Sequence, residues 1–340
     1  MAETLADLGE WELIRRLGDF APPGQFADDA ALVNKAGFGR LVLNTDLLVE
    51  GVHFSEATTK PTDVGWRAAV ANLSDLAAMG CTRGEGITVG LVAPGATPWA
   101  WVEGVYGGLK EALETFGGVL LGGDCSRGGQ RILAVTAIGQ LSTPPDADCG
   151  AWGAIRRGDG RPGDALLCTG PHGLSRLGLA LLQGELQLAN GLNGALSVRA
   201  ITAHQRPRAR FDAVRALIGS RPPALRWRVG GCDSSDGLAA AVQAIAGRSG
   251  CAARLDREVL PLDPAMAALP QAEAWCLGGG EDFELVLALE PDWARALLEA
   301  LPGASMIGEL AAGPAGSLGW RDGRPWPESD GLIAGFRHFS

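Results

Sequence analysis

The sequence predicts a two-domain protein of the α/β (α+β) class. Two observations carry this: in each half, apolar strand-like runs alternate with segments of helical periodicity, and a cluster of structure-breaking residues separates the halves. At 340 residues the chain is long enough for each domain to bury its own core. The breaker cluster is Thr143-Pro144-Pro145-Asp146, which places the domains at residues 1–147 and 148–340.

In order along the chain, Trp11, Ile14 and Leu17 recur at helical spacing behind an acidic first turn and predict a short amphipathic helix. Residues 41–43 read as a strand, 62–79 as a helix ending at Gly80, and 87–92 as a second strand. Residues 98–116 are helical up to the Gly117-Gly118 stop, and 119–121 and 132–138 read as further strands. After the breakers the pattern restarts at Ala165-Leu166-Leu167-Cys168. Helices are then expected over 174–182, 200–218, 238–248 and 293–301, and strands over 252–255 and 285–289.

Composition removes several classes of function. Hydrophobic residues at 46% and charged residues at 20% describe a compact globular chain. A net charge of -10 and a pI near 5.0 oppose nucleic acid as a partner, because that affinity rests on clustered Lys and Arg. The start carries Glu3, Asp7, Glu10 and Glu12 in place of a basic leader, and no apolar run approaches the roughly 18 residues of a membrane span. A cytoplasmic protein with no membrane partner is expected. The seven cysteines are odd in number and include no Cys-x-x-Cys pair, which suits a reducing compartment better than a disulfide frame or a zinc site.

The chemistry is written in aspartates that follow apolar stretches: Asp28-Asp29, Thr45-Asp46, Asn72-Leu73-Ser74-Asp75, Gly122-Gly123-Asp124 and Asp233-Ser234-Ser235-Asp236-Gly237. Any one of these could be a turn residue satisfying its own backbone. As a set they suit magnesium, a hard cation that uses a few carboxylates together with substrate phosphates. ATP and a phosphate ester in the same cleft would call for more than one such ion. The three lysines, Lys35, Lys60 and Lys110, each follow a non-glycine residue, so no Walker loop is present. Phosphate must then be held by metals, arginines and the main-chain amides of Gly122-Gly123 and Gly278-Gly279-Gly280.

Taken in order, Ala27-Asp28-Asp29-Ala30-Ala31, Asn44-Thr45-Asp46 with Gly51-Val52-His53-Phe54, Asn72-Leu73-Ser74-Asp75-Leu76-Ala77-Ala78-Met79-Gly80, Gly122-Gly123-Asp124, Asp233-Ser234-Ser235-Asp236-Gly237-Leu238 and Gly279-Gly280-Glu281-Asp282 resemble the thiamine-monophosphate kinases. That family belongs to a wider group resembling aminoimidazole-ribonucleotide synthetase. The resemblance implies a two-domain subunit of that fold, paired as a homodimer through the amino-terminal sheet. It implies magnesium-dependent transfer of the ATP γ-phosphoryl group to thiamine monophosphate, giving thiamine diphosphate and ADP without a covalent enzyme intermediate. Magnesium ligands implied at matching positions are Asp29, Asn44, Thr45, Asp46, Asp75, Asp124, Asp233 and Asp236. ATP contacts are implied at Tyr106, Gly123, Asp124, Arg157 and Ser235, and thiamine monophosphate contacts at His53, Glu281 and Phe336.

Ala27, Asn44 and Phe336 depart from the family pattern, yet Asn44 retains a carbonyl oxygen for a metal and Phe336 a ring for stacking. Two other readings stand beside this one. The first is an ATP-dependent synthetase of the same group, making a purine precursor, selenophosphate or a modified carbamoyl group. The second is a noncatalytic metal- and nucleotide-binding module. Turnover separates the three.

Overall fold

A computed structural model of the protein describes residues 12, 15–16, 27–35, 39–141, 153–187, 194–324 and 326. Strands β1 (Ala31–Lys35), β2 (Gly39–Val49), β3 (Gly84–Ala93), β4 (Val119–Arg127) and β5 (Ile132–Leu141) form a five-stranded sheet in the order β1-β2-β5-β3-β4. Helices α1 (Pro61–Ala78) and α2 (Trp99–Phe116) pack together, and α1 lies on β2 and β5. The crossover through α2 lets β4 run parallel to β3, whereas β2, β5 and β3 are antiparallel neighbours. Two glycines set the closeness of the helix pair. A Cβ on Gly65 would stand 1.8 Å from the Val105 carbonyl oxygen, and one on Gly108 would stand 1.8 Å from that of Thr62.

One face of this sheet carries the helices, and the other is uncovered among the described residues. Along β2, Val42, Asn44 and Leu48 are buried while Leu43, Thr45 and Leu47 are exposed, the period-2 signature of a strand with one covered face. At the far edge β4 is exposed throughout, including Val119, Leu120 and Leu121.

The second sheet has six strands in the order β11-β8-β10-β6-β9-β7: β6 (Ala165–Cys168), β7 (Gly230–Asp233), β8 (Ala252–Leu255), β9 (Leu285–Leu289), β10 (Ser305–Ala311) and β11 (Leu318–Trp320). Its helices are α3 (Leu174–Gln183), α4 (Ala195–Gln205), α5 (Phe211–Gly219), α6 (Leu238–Arg248), α7 (Ala272–Gly278) and α8 (Pro291–Ala300). Every residue of β6, β7 and β9 is buried, as expected where both faces of a sheet are covered. One apolar core joins the two parts, with Leu73 and Leu76 of α1 in the same cluster as Phe211, Val214, Leu285 and Trp293.

The structure corrects the sequence reading in three places. The single helix expected over 200–218 is two, α4 and α5, parted by a segment containing Pro207, whose ring supplies no backbone N–H for a continuing helix. Strands β1, β7, β10 and β11 and helix α7 were not anticipated, being short or without clear periodicity. Finally, β2 and β4 run on through Asn44-Thr45-Asp46 and Gly122-Gly123-Asp124, so these motifs lie within strands and not behind them. Apart from Glu12, Arg15 and Arg16, the expected opening helix lies outside the described residues, as does the breaker cluster at residues 143–146.

Candidate active site

Carboxylates converge where α1, β2 and β7 meet the segment leading into β1. Oxygens of Asp29, Asp75 and Asp233 lie within 4.8 Å of one another. Asp233 is the last residue of β7, and Asp75 stands one turn beyond Asn72 on α1. Inward-facing Asn44 on β2 donates from Nδ2 to Asp75 Oδ2 (2.7 Å) and to Asn72 Oδ1 (3.3 Å). Asn72 is itself oriented, accepting from Asp46 N (3.1 Å) and donating to the Ala68 carbonyl (2.9 Å). Asp233 is gripped from both sides, by Ser74 Oγ on Oδ2 (2.6 Å) and Ser235 Oγ on Oδ1 (3.0 Å). Arg157 bonds Asp29 through its guanidinium and Asp28 through its main-chain N–H (2.9 Å to Oδ1).

Assembling these charges perturbs them. Burial pushes Asp29 up to about 7 against the pull of Arg157, with Asp233 adding repulsion. Burial, then the charges of Asp233 and Asp236, push Asp46 up to about 6. Asp75 rises well above the usual carboxylate range through burial and then Asp46, Asp233 and Asp29, opposed by the Asn44 hydrogen bond. Two acceptors here, Asp29 Oδ2 and Asn44 Oδ1, are buried without a hydrogen-bond partner among the described residues. Buried acceptors without donors, among mutually repelling carboxylates, form an oxygen donor set that fits a hard divalent cation.

A second group of residues adjoins the first. Gly51, at φ 81°, turns the chain so that its N–H bonds the Phe54 carbonyl oxygen (2.8 Å), with His53 inside the turn. Val49 N donates to His53 Nδ1 (3.1 Å), so in the neutral ring the proton resides on Nε2. Across from it, Glu281 (φ 56°) and Phe283 (φ 52°) follow Gly280 (φ 67°) in left-handed conformations that non-glycine residues seldom adopt. Two ties hold this turn. Glu281 N donates to the Ser235 carbonyl (2.6 Å), and Asp282 caps α3 by accepting from Gly173 N (2.7 Å) and Ser175 N (3.1 Å). Burial pushes Asp282 up to about 7 despite those bonds.

The residues singled out in the sequence therefore fall into separate groups. Asp29, Asn44, Asp46, Asp75, Asp233, Ser235 and Arg157 come together, and exposed Asp236 is near enough for its charge to raise Asp46. The Thr45 side chain is on the open face of the sheet, 2.8 Å from Thr136 Oγ1 and pointing away from Asn44 and Asp46. Gly123 and Asp124 lie on β4, separated from β2 by β5 and β3, or roughly 14 Å at the usual strand spacing. Gly123 packs so closely on β3 that a Cβ would stand 1.9 Å from the Val89 carbonyl oxygen. Half-buried Tyr106 belongs with this group, its hydroxyl pushed up by burial and by Cys125 of β4. Phe336 lies outside the described residues.

Sequence reasoning missed the supports. His172 donates from Nδ1 to the Gly170 carbonyl (3.1 Å), which leaves Nε2 to accept from Ser234 Oγ (2.9 Å) beside Asp233. Burial pulls His172 down to about 4, keeping it neutral. Ser74, His204 and Arg67, none of them singled out, also touch the residues above. Ser74 lies within a recognised motif, which was its one available signal.

Comparison with known proteins places the chain as a whole. Residues 27–141 match the family described as AIR synthase related protein, N-terminal domain, and residues 161–321 its C-terminal domain. The thiamine-monophosphate kinase of Prochlorococcus marinus is 45% identical over 339 residues, spanning 99% of this chain and 98% of that one. The chain belongs to the thiamine-monophosphate kinase family. Another member, from Synechococcus elongatus, is also 45% identical, over 99% of this chain and 98% of its own. The structure of AaThiL complexed with AMPPCP and TMP has a TM-score of 0.81 at 28% identity, covering 99% of both chains. The Aquifex aeolicus thiamine monophosphate kinase structure gives 0.76 at 27% identity, over 96% of this chain and 100% of that one.

Proposed function

We infer that this chain is a thiamine-monophosphate kinase: it transfers the γ-phosphoryl group of ATP to the phosphate of thiamine monophosphate, releasing thiamine diphosphate and ADP. The observation that carries the reading is identity of 45% across 99% of the chain to kinases of that name. The acid cluster is consistent with it. Asp29, Asn44, Asp46, Asp75, Asp233 and Asp236 would hold magnesium, which when bound neutralises phosphate charge and orients the transferring group. The chain's own residues supply the rest. Ser74 and Ser235 fix the Asp233 carboxylate, and Arg157, whose buried Nε has no hydrogen-bond partner, supplies a cation beside the metal ligands. His53 and Glu281 are assigned to the thiamine side. The acceptor phosphate is already anionic near neutral pH, so alignment and charge neutralisation suffice without a general base.

A homodimer formed through the amino-terminal sheet is part of the same reading. The uncovered face bearing Leu43 and Leu47 supports it, as do two open edges. Among the described residues β1 pairs with the Gly39 to Leu43 part of β2, leaving residues 44–49 without a partner strand on that side, and β4 has β3 as its single neighbour. A second copy laying its β4 along the open stretch of β2 would close both sheets by two-fold symmetry. It would also carry its Gly123 and Asp124 toward Asp46. No helix among the described residues is long and apolar enough to cross a membrane, and we place the enzyme in the cytoplasm with a domain boundary near residue 147. Incubation with ATP, magnesium and thiamine monophosphate should yield thiamine diphosphate and ADP in equal amounts by 31P NMR. Turnover of a different acceptor but not of this one would sink the assignment.

A further inference from the structure

His53 and Glu281 are contributed by opposite domains, and one buried side chain touches both. Arg67 on α1 is 2% exposed. Its Nη2 donates to the His53 carbonyl oxygen (3.2 Å) and to Glu281 Oε1 (2.5 Å), and its Nη1 donates to the His204 carbonyl oxygen. His204, in the last turn of α4, is also 2% exposed. Its Nδ1 lies 3.2 Å from Ser175 Oγ, 3.5 Å from Arg67 Nη1 and 3.6 Å from Glu281 Oε2. Burial, and then the Arg67 charge, pull His204 down to about 4, so it braces the pair without adding a second cation. The Glu281 side chain is anchored on one edge and keeps 33% of its surface open.

Stability alone is a poor reason for such an arrangement, because desolvating an arginine offsets much of what its ion pair returns. Its geometric content is greater. A planar guanidinium meets acceptors from the His53 turn, α4 and the Glu281 turn at fixed angles, which a lysine ammonium cannot reproduce. We propose that Arg67, braced by His204, is a positioning residue for the acceptor: it sets the Glu281 carboxylate and the His53 turn at one spacing across the domain junction. The proposal rests on the assignment of His53 and Glu281 to the acceptor side. It predicts control of acceptor affinity with little effect on the nucleotide, since Arg67 touches none of the carboxylates of the acid cluster in the bonds it makes.

Steady-state kinetics of Arg67→Lys, Glu281→Gln and the double variant test it. Arg67→Lys should raise the KM for thiamine monophosphate about 10- to 100-fold while the KM for ATP stays within about twofold. The double variant should be little worse than the poorer single one, because the two groups act as one unit. If Glu281→Gln leaves acceptor KM unchanged, the acceptor assignment fails and the proposal falls with it. If Glu281→Gln raises acceptor KM but Arg67→Lys does not, or if both KM values rise together, the assignment stands and the positioning role is overturned. Should Arg67→Lys not fold, His204→Asn decides: a rise in acceptor KM of about threefold or more supports the role, and an unchanged value overturns it.

Discussion

The acid cluster and the His53–Glu281 group adjoin through Ser235 and Glu281, yet they are built on opposite electrostatics. Asp29, Asp46, Asp75 and Asp233 lie close together, with Arg157 bonded to Asp29 as the one cation among the described residues that pairs with them, and burial raises three of them. Glu281 instead has its charge matched by Arg67, with a neutral histidine alongside. The first region carries an excess of negative charge that a bound cation would relieve. The second carries its own counter-charge. Metal loading should therefore reorganise the energetics of one side of the cleft and leave the other prearranged.

Substituting a carboxylate in the repelling region should have the largest effect. Asp233→Asn is expected to lower kcat/KM by about 10³-fold or more while the metal-free melting temperature stays level or rises, because a mutually repelling charge is removed. Near-normal turnover would break the comparison at its base. Next, Asp46→Asn and Asp124→Asn should each be inactive, yet subunits of the two, exchanged and mixed, should regain about a quarter of wild-type activity, since half the dimers would then hold one intact site. No recovery despite demonstrated exchange would confine the site to one chain.

A smaller effect concerns pH. Asp29 and Asp46 have folded-state values near 7 and 6, above the ordinary carboxylate value of 3.8. Over that interval Asp29 and Asp46, together with Asp75 and Asp282, hold more protons in the folded chain than in the unfolded one. They outweigh His172 and His204, which burial lowers and which act in the opposite sense, so metal-free stability should fall as pH rises from about 5 to 7.5. Magnesium should flatten the slope. A metal-free melting temperature that climbs across this range would reverse the sign of the argument. Least of all, Ser74→Ala, which removes one of two hydroxyls holding Asp233, should reduce kcat about threefold with an unchanged fold by circular dichroism.

The cluster was legible in the sequence because its members sit in short runs with neighbouring Asn, Ser or Gly that serve the same site. Asn72 orients Asn44 and Asp46, and Ser74 and Ser235 hold Asp233. Arg67 offered no such sign. A lone arginine on a helix reads as a solvated side chain, and its partners His204 and Glu281 are 137 and 214 positions away. Strand lengths were underread for a related reason: Asn44, Asp46, Gly122 and Gly123 are poor strand formers in isolation, and pairing across the sheet overrides their local preference. The division between α4 and α5 turns on Pro207, which a periodicity count passes over.

The bond from Glu281 N to the Ser235 carbonyl runs directly between two main chains. Two loops joined in that way move as one lever. Binding on the Asp233–Ser235 side is then expected to shift the Glu281 turn while leaving its charge pairing with Arg67 intact, and any such coupling would be reciprocal. Point substitutions could weaken each grip separately. To separate the grips, the Gly278 to Phe283 segment itself would have to be lengthened or shortened, which gives its length a kinetic meaning beyond packing.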